Sequence, residues 1–377
     1  MRRVRWAYYY LFTLLGVAVL AGVIANDRPL LAYAEGSLLI PVLDHSLGRQ
    51  AWEDQHLDWA IWPPIPFRAG EIDLSEATYQ PPLTRNRTDG SMHWLGTDQW
   101  GRDLAAGLVS GARVAIIIGL GSVAVSLLIG LPLGAVAGYF GNHGLLQPRR
   151  NILAAAIGLP LGLAYAVGSL WYVARGALQF LALLLLSVVC GYCVLHLLLR
   201  LLGWGIPWLR RRVGVPVDRF VLLVLELTVS VPGLVLLIAL LAYVNEPSLS
   251  LIVLVIGAVG WTPVARFLRA ELMRVRELPY IAAARVGGIG EWRLLVRHAL
   301  PNAIGPVIVV AAFMVGTSIL AEAMLSFLGL GVPADEVTWG SILQQSRQYP
   351  QAWWLALFPG LLLTLTILAC NSLRKRP

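Results

Sequence analysis

Residues 114–140 read VAIIIGLGSVAVSLLIGLPLGAVAGYF, a run that contains no charged side chain. A helix needs roughly 20 apolar residues to cross the hydrocarbon core of a bilayer, and this run is longer. It contains several glycines and Pro132, so we expect a membrane-spanning helix that could be kinked. This one stretch indicates a helical membrane protein.

The composition of the whole chain agrees with a membrane protein. Of 377 residues, 58% are hydrophobic and 13% are charged, and the mean hydropathy is +0.71. These values are incompatible with the water-facing surface of an ordinary soluble domain. The net charge of +8 comes largely from arginines clustered beside apolar runs, a pattern that orients membrane proteins. No basic face interleaves with aromatic residues outside those runs, so no nucleic-acid partner is expected.

The three cysteines, Cys190, Cys193 and Cys370, all lie inside apolar runs, so a disulfide framework is not expected. Cys190 and Cys193 form a Cys-Gly-Tyr-Cys pattern that could indicate a metal or redox site. The sequence has no second ligand pair near it. We therefore interpret both residues as small apolar side chains and predict no metal site.

Apolar runs of lipid length recur along the chain and predict about eight membrane spans. They cover residues 8–25, 114–140, 152–173, 177–202, 220–244, 249–267, 303–328 and 353–370. Each basic cluster falls on the side that the alternation of spans assigns to the cytoplasm, so both termini are expected there. The first run could instead be a cleaved signal peptide; an uncleaved span is favoured because the rest of the chain is itself membrane-embedded. The predicted fold class is all-α, a polytopic membrane helical bundle.

This pattern divides the chain into five segments. Residues 1–25 form the first span, 26–110 an extracytoplasmic loop or small cap, 111–150 the second span and a cytoplasmic turn, 151–216 a two-span hairpin, and 217–377 the remaining spans. The prolines of the second segment predict irregular, extended backbone rather than long helices. The one long cytoplasmic connection is predicted at residues 268–302.

The cytoplasmic connection has the features of a short helix. Pro279 suits a first helical turn, and Gly287-Gly288 can end the helix. The three alanines at 282–284 expose almost no side chain, so this helix could lie close against another protein. The alternative is that the alanines only stabilise a surface helix. Pro301 is predicted to begin the next membrane helix, where a missing amide donor costs nothing.

Three ordered blocks of sequence resemble one family of membrane proteins. They are YIAAAR (280–285) followed by Gly288, Trp292-Arg293 and HALPN (298–302); LGTDQWGRD (95–103) before Gly111-Ala112-Arg113; and AEAMLSFLGLG (321–331). Together these blocks resemble the permease subunits of binding-protein-dependent ABC importers for dipeptides, oligopeptides and nickel. Shorter matches at residues 24–31 and 64–67 resemble the subgroup that takes up longer or microcin C-like peptides.

The resemblance implies a fold like that of type I ABC importer permeases and a transport subunit that is not an enzyme. It implies a cytoplasmic helix that couples to an ATPase, formed here by Tyr280, Ala282, Ala283, Ala284, Arg285, Gly288 and Pro301. It also implies a signature ahead of the second span, formed here by Gly96, Thr97, Asp98, Gly101, Arg102 and Asp103.

The same resemblance implies the partners. They are a second permease subunit, two ABC ATPase subunits or domains, an extracytoplasmic substrate-binding protein and the lipid bilayer of the bacterial inner membrane. ATP and Mg²⁺ would be used by the ATPases. No cofactor is expected on this chain, whose sequence contains no Gly-rich phosphate-binding loop. Closure of the ATPases would move the permeases between inward-facing and outward-facing states.

The sequence departs from the family pattern in three places. Ala282 stands where the family has a glutamate, so one polar contact to the ATPase is expected to be missing, and Arg285, Glu277 or Glu291 could replace it. The hairpin at 151–216 is inserted where relatives have a short turn; it could bind a partner, bind lipid or thicken the outer wall of the bundle. The short basic tail at 374–377 lacks the longer family ending.

Two acidic residues, Glu226 and Glu322, lie in apolar runs, where a charged side chain is costly and normally faces a cavity or a partner. They could line a substrate path, but a role in helix packing is the preferred interpretation. An alternative function is an ion-gradient-driven secondary transporter, which would show an inverted repeat that the sequence lacks. A membrane-embedded enzyme would need acidic or histidine residues clustered at one depth, and those in the apolar runs do not cluster.

Overall fold

The computed structural model of this chain describes residues 2–34, 37–41, 58–72, 78–85, 90–169, 177–203, 205–242, 248–333 and 336–373. These residues are mostly helical, which confirms the predicted fold class. The chain divides into two compact units. The first unit comprises Met1–Pro132, Glu226–Leu268 and Pro301–Pro377, and the second comprises Leu133–Leu225 and Arg269–Leu300.

The helices are numbered in chain order. They are α1 (Arg2–Val19), α2 (Ala21–Ile24), α3 (Leu104–Phe140), α4 (Arg149–Ser169), α5 (Ala177–Leu202), α6 (Pro207–Arg210), α7 (Val217–Ser230), α8 (Gly233–Leu241), α9 (Leu249–Val275), α10 (Pro279–Val286), α11 (Glu291–Leu294), α12 (Leu300–Ala303), α13 (Gly305–Phe327), α14 (Trp339–Gln348) and α15 (Trp354–Leu373). A π-helical stretch, Leu295–Ala299, connects α11 to α12.

The strands are short and all pairs are antiparallel. They are β1 (Leu31–Ala34), β2 (Ser37–Leu39), β3 (Trp59–Ile61), β4 (Thr84–Arg85), β5 (Met92–His93), β6 (Leu146–Pro148) and β7 (Arg212–Gly214). Strand β1 pairs with both β2 and β3, β4 pairs with β5, and β6 pairs with β7. Strands β1 to β5 fall between residues 26 and 103, where the described residues form extended backbone and no long helix, as the prolines predicted.

Four helices, α3, α9, α13 and α15, are long and apolar enough to cross a membrane, and α7 with α8 forms a bent fifth candidate. The chain is thus a multi-pass membrane protein. Helix α1 is not among them because its 18 residues include three arginines in the first turn. Helices α4 and α5 are not among them within the described residues. The predicted total of eight spans therefore stays a prediction.

The predicted span at 220–244 is broken rather than continuous. Helix α7 ends at Ser230, and α8 begins at Gly233 after a bend of 80°. Pro232 lies at the break in an extended conformation, with φ −55° and ψ 124°. A proline has no amide hydrogen to continue a helical ladder, so the chain changes direction here.

In the first unit, helices α3 and α9 pack closely through small residues. A Cβ atom added to Gly121 would lie 2.8 Å from Val253, and one added to Gly257 would lie 2.7 Å from the carbonyl oxygen of Ser122. The Ser126 hydroxyl donates to the Gly257 carbonyl at 2.9 Å. Small residues and interhelical hydrogen bonds are what bring helices together in lipid, where the hydrophobic effect between helices is lost.

In the second unit, α4 and α5 form the predicted helical hairpin. A Cβ atom added to Gly162 would lie 2.5 Å from the Ser187 carbonyl oxygen, and one added to Gly158 would lie 2.7 Å from that of Gly191. The two backbones can approach this closely only because these positions are glycine. Strands β6 and β7 pair next to the two ends of the hairpin and close its base. Its tip, at 170–176, and the basic tail at 374–377 lie outside the described residues.

Candidate functional site

Helix α10 forms the centre of the cytoplasmic segment that the sequence predicted. Leu278 precedes it in an extended conformation, and Pro279 occupies its first turn. Gly287 follows its last residue, and Gly288 has a φ of +82°, which only glycine adopts without strain. The predicted helix and its glycine ending are both present.

Helix α10 has one buried side chain and several exposed ones. Ile281 is fully buried and fixes the helix in the second unit. Ala282 and Ala283 are exposed, whereas Ala284 is half-buried, so two of the three alanines present bare methyl groups. We call the exposed side chains of this segment the loop surface. It consists of Pro279, Tyr280, Ala282, Ala283, Arg285, Val286, Trp292, Arg293, Val296 and Arg297.

The loop surface is held in shape by Glu291. The Arg285 Nε donates to Glu291 Oε1 at 2.7 Å, and the Tyr139 hydroxyl donates to Glu291 Oε2 at 2.8 Å. The hydrogen bond from Arg285 lowers the pKa of Glu291, and the same bond raises the pKa of Arg285. The carboxylate thus joins α10, the start of α11 and the last turn of α3.

The three residues that could replace a glutamate at Ala282 all have partners within the chain. Arg285 and Glu291 pair with each other, and Glu277 Oε1 accepts from the Arg276 Nε at 3.0 Å. The loop surface itself contains arginines and exposed apolar side chains but no acidic residue. The side chains of Glu277 and Glu291 nevertheless stay 73% and 41% exposed, so both acids also face the outside of the chain.

The segment also contacts the carboxyl end of α3. Arg276 Nη1 donates to the Gly138 carbonyl at 3.3 Å, where a cation is favoured by the helix dipole. The Trp292 ring lies 4.9 Å from that of Phe140, yet 56% of Trp292 stays exposed. The most exposed large apolar residue of the loop surface is Val286, at 90%.

The position of Pro301 corrects one expectation. The chain is already helical from Glu291, so Pro301 does not begin the next membrane helix. The preceding turn is π-helical, and the Leu300 amide donates to the Leu295 carbonyl. A wider turn relieves the clash that a proline ring makes with the carbonyl four residues earlier. Helix α13 begins at Gly305, after a break at Ile304.

The predicted signature ahead of the second span is a buried turn in the first unit. Gly96 has a φ of +88°, and a Cβ atom there would lie 2.5 Å from the Gln80 carbonyl oxygen. The Thr97 hydroxyl accepts from the Gln80 amide at 2.8 Å, and the Trp354 indole donates to the Thr97 carbonyl at 3.1 Å. Gly101, with a φ of +72°, completes the turn. These residues connect the backbone at Gln80 to the start of α15.

Asp98 is the polar centre of this turn. Its Oδ1 accepts from the backbone amides of Trp100 at 2.7 Å and of Arg102 at 3.0 Å, and its Oδ2 accepts from the Gln345 side chain at 3.2 Å. Gln345 Oε1 in turn accepts from the Gln99 amide at 3.1 Å. Burial raises the pKa of Asp98, and the backbone hydrogen bonds oppose that rise. The arrangement joins the turn to α14 and leaves Asp98 without access to a substrate.

Asp103 begins α3. Its Oδ1 accepts from the Ala106 amide at 2.8 Å, the contact of an N-cap, which explains why the helix begins at Leu104 rather than near residue 114 as predicted. Its Oδ2 lies 2.8 Å from His93 Nδ1, and the His93 ring stacks on Phe67 at 4.4 Å. The predicted signature therefore fixes the start of α3 and joins it to strand β5 through His93.

The two intramembrane glutamates have different surroundings. Glu322 is buried within α13 and accepts a hydrogen bond from the Ser326 hydroxyl at 2.7 Å. A Cβ atom on Gly331 would overlap Ser326, so the chain packs tightly around this pair. Glu226 is exposed on α7, beside the exposed Leu227. The geometry favours the packing interpretation for Glu322, and it leaves Glu226 on a surface open to lipid, to a partner or to the substrate path.

Sequence reasoning missed several residues of these sites. Tyr139, Arg276 and Gln345 each make a side-chain bond to a partner far away in the chain. No local pattern marks such pairs, although an arginine just after a helix is a known cap of neighbouring carbonyls. Among the described residues, no group of three or more His, Cys, Asp or Glu side chains could hold a metal ion.

One protein family and several bacterial transport proteins are similar to this chain. Residues 201–376 match the family described as binding-protein-dependent transport system inner membrane component. A Brucella suis protein named as a peptide transport system permease is 30% identical over 294 residues, 78% of this chain and 72% of its own length. The dipeptide transport system permease DppC of Alkalihalophilus pseudofirmus is 28% identical, over 80% of this chain and 75% of its own. The peptidoglycan transport system permease YejE of Agrobacterium fabrum is 25% identical, over 94% and 83% respectively.

Proposed function

Because the chain belongs to the family of binding-protein-dependent transport system inner membrane components, we propose that it forms, with a second permease, the translocation path of an ATP-driven peptide importer. Two ABC ATPase subunits or domains would bind its cytoplasmic side and use ATP and Mg²⁺. An extracytoplasmic protein would deliver the substrate. The chain itself would bind no cofactor, and both termini would lie in the cytoplasm of the bacterial inner membrane.

The main support for this proposal is the exposure of the loop surface. This surface combines exposed apolar side chains with a short helix whose alanines allow close approach, and Val286 is almost fully exposed in the free chain. Ile281 is buried beneath the helix, and Glu291 joins it to Tyr139, so a displacement of α10 would be transmitted to the last turn of α3. These are the properties that transmission of force between subunits requires.

The charge of the loop surface defines the ATPase groove that would fit it. Ala282 provides no acid, and the exposed charged side chains are Arg285, Arg293 and Arg297. We therefore expect an apolar groove in the ATPase with acidic residues at its rim. Contact would depend on shape and apolar burial at Ala283 and Val286, with the arginines adding orientation.

Peptide as the substrate is supported by the names of the relatives. The similar proteins of Brucella suis and Alkalihalophilus pseudofirmus are named for peptide and dipeptide transport, and that of Agrobacterium fabrum for peptidoglycan transport. All three names describe substrates built at least partly from amino acids. A peptide-delivering binding protein is therefore the partner we propose on the outer side.

The proposal is tested by ATP-dependent uptake of labelled peptide into proteoliposomes that contain the complete importer. Ala283→Trp enlarges an exposed side chain, and Gly288→Val forces a φ of +82° on a β-branched residue. Both variants should insert normally and lose uptake. Gly290→Ala is the matched control, because Gly290 has a φ of −65° and open space around it. Uptake without ATP, or full uptake by both variants, would contradict the proposal.

A further inference from the structure

Five arginines meet at the base of the α4–α5 hairpin. They are Arg149, Arg150, Arg210, Arg211 and Arg212. Strands β6 and β7 bring the two groups together, because Pro148 pairs with Arg212 and the Arg149 amide donates to the Arg211 carbonyl at 3.1 Å. We call this group the arginine base.

The arginine base has no acidic partner among the residues that the structure describes. The second unit contains four acidic residues, and each pairs with an arginine from outside the base. The pairs are Asp218 with Arg269, Glu271 with Arg274, Glu277 with Arg276, and Glu291 with Arg285. None of these four acids therefore offsets the positive charge of the base.

Individual contacts show which guanidinium groups are available. Arg149 lies over the Trp208 ring at 4.4 Å, and the Arg210 Nε donates to the Gly203 carbonyl at 2.7 Å. Arg211 and Arg212 are exposed. The Nε of Arg150 is buried and has no hydrogen-bond partner in the described part of the chain. The exposed guanidinium groups of Arg211 and Arg212 are thus open to an anion, and phosphate is an anion whose geometry arginine matches well.

The surroundings of the base are those of a membrane interface. Trp208 is exposed in the short helix α6, next to the exposed Ile206. Tryptophan is enriched where lipid headgroups meet the hydrocarbon core. The hairpin itself has large exposed apolar side chains on both helices, including Leu161, Tyr165 and Val194. A phosphate bound here would lie at the end of an apolar surface.

An apolar groove of about 490 Å³ follows the hairpin. Its lining includes Leu161, Gly162, Ser187, Val194 and Leu198. The close approach of the helices at Gly162 leaves this groove open along α5 from Leu183 to Leu198, about 22 Å at 1.5 Å per residue. One leaflet of the hydrocarbon core is about 15 Å thick, so the groove is long enough for an acyl chain.

The groove and the arginine base are neighbours along α5. Leu198 precedes Gly203 by about 7.5 Å of helix, and Gly203 provides the carbonyl to which Arg210 donates. We propose that the hairpin binds one anionic phospholipid, with its phosphate on the arginine base and an acyl chain in the groove. This gives the inserted hairpin a function separate from coupling, and it does not depend on the proposed transport activity.

Lipid retention by the purified full-length chain tests this proposal. Wild-type protein in detergent is exchanged with phosphatidylglycerol or phosphatidylcholine, and the bound lipid is counted by native mass spectrometry. We expect one tightly held phosphatidylglycerol and no retained phosphatidylcholine. A third sample with phosphatidylcholine and inorganic phosphate distinguishes a lipid site from a phosphate site, and bound phosphate with no lipid preference would overturn the proposal.

The contribution of the arginine base to lipid binding is tested by removing two of its charges. Arg211→Gln with Arg212→Gln should weaken phosphatidylglycerol binding about fivefold for each arginine, which corresponds to about 1 kcal/mol each. The matched control replaces Arg293 and Arg297, two exposed arginines of the loop surface, and should retain the lipid. Wild-type retention by the first variant, or an equal loss in the control, would overturn the proposal.

The groove is tested without changing any charge. Val194→Trp places an indole in the groove and should release the lipid, whereas Leu197→Trp lies outside the groove residues and should not. Both positions are exposed, so neither substitution disturbs a core, and elution as a single symmetric peak checks folding. Equal retention in the two tryptophan variants would show that no acyl chain occupies the groove.

Discussion

Glu291 joins the loop surface to α3. Its carboxylate accepts from both Arg285 and Tyr139, which belong to different helices. Glu291→Gln removes the charge, so we expect ATP-dependent uptake to fall about fivefold, the size of a 1 kcal/mol coupling change. Thermal stability should change little, because half-exposed ion pairs contribute less than about 1 kcal/mol.

Glu277→Gln is the matched control for Glu291, since within the described residues Glu277 forms an ion pair with its neighbour Arg276 alone. Its uptake should equal that of wild type, and an equal fall in both variants would count against the role of Glu291. The pKa of Glu291 is lowered from its ordinary value of 4.5. Its stabilisation is therefore present above that value and lost as the pH falls through the lowered pKa. The hydrogen-exchange protection factors of α10, which correct for the pH dependence of the intrinsic rate, should fall in this acidic range in wild type but not in Glu291→Gln.

Asp98 provides a second prediction for a single residue. Asp98→Asn turns an amide NH₂ toward the Gln345 side chain, which donates to Asp98 in the wild type. If Gln345 rotates its amide to accept, its NH₂ meets the Gln99 amide hydrogen instead. One donor is left unpaired either way, which costs about 1–3 kcal/mol.

Thermal unfolding of the purified chain measures the effect of Asp98→Asn. The matched control is Gln99→Ala, because only the backbone of Gln99 bonds to Gln345. We expect a lower unfolding temperature for the first variant and an unchanged one for the second. Equal unfolding temperatures would show that Gln345 and Asp98 are not a specific pair.

Some roles of single residues could be predicted from the sequence, and others could not. Pro279 and Gly288 follow from local rules of helix ends, and the structure confirms both conformations. The bond from Tyr139 to Glu291 joins positions 152 residues apart, and neither residue lies in a pattern that identifies the other. The start of α3 was missed for a different reason, because the N-cap at Asp103 lies in a polar segment that the apolar run does not include.

The close packing of α4 against α5 leads to a prediction about the stability of the hairpin. Gly162→Ala places a methyl group 2.5 Å from the Ser187 carbonyl oxygen, so the two helices must separate. Overpacking of this kind costs about 1–3 kcal/mol. Gly168→Ala is the matched control on the same helix, where no atom of the described residues lies within 4 Å of the added methyl group.

The hairpin variants are compared by thermal unfolding in detergent. Gly162→Ala should unfold at a lower temperature than wild type. Gly168→Ala should match wild type or exceed it, because alanine favours helix by up to about 1 kcal/mol over glycine. If Gly162→Ala unfolded like its control, the close approach of α4 and α5 would be wrong.

The elements were predictable to different degrees. Helix α10 and the two helices of the hairpin follow from periodic or apolar runs with clear ends. The bend at Pro232 could not be predicted from such a run, because apolar residues continue on both sides of the proline. The π-helical turn before Pro301 also has no local sequence signal, since it depends on how the chain accommodates the proline ring.

At the scale of the whole molecule, composition was sufficient to identify the class. Apolar runs longer than a bilayer require a helical membrane protein, and the family comparison agrees with the sequence blocks at residues 280–302 and 321–331. The number of spans is harder to obtain, because an apolar run shows that a helix can enter lipid but not that it crosses. Helices α4 and α5 illustrate this, since their glycines and arginines suit both a span and a lipid-binding hairpin.

The proposed contact between the loop surface and an ATPase can be measured directly by cross-linking. After Cys190, Cys193 and Cys370 are replaced by serine, Ala283→Cys is labelled with a benzophenone maleimide, and the assembled importer is illuminated. Leu197→Cys, exposed on the hairpin, is the matched control. We expect the ATPase to be cross-linked from position 283 and not from position 197. An importer in which position 283 is labelled but yields no ATPase adduct would contradict it.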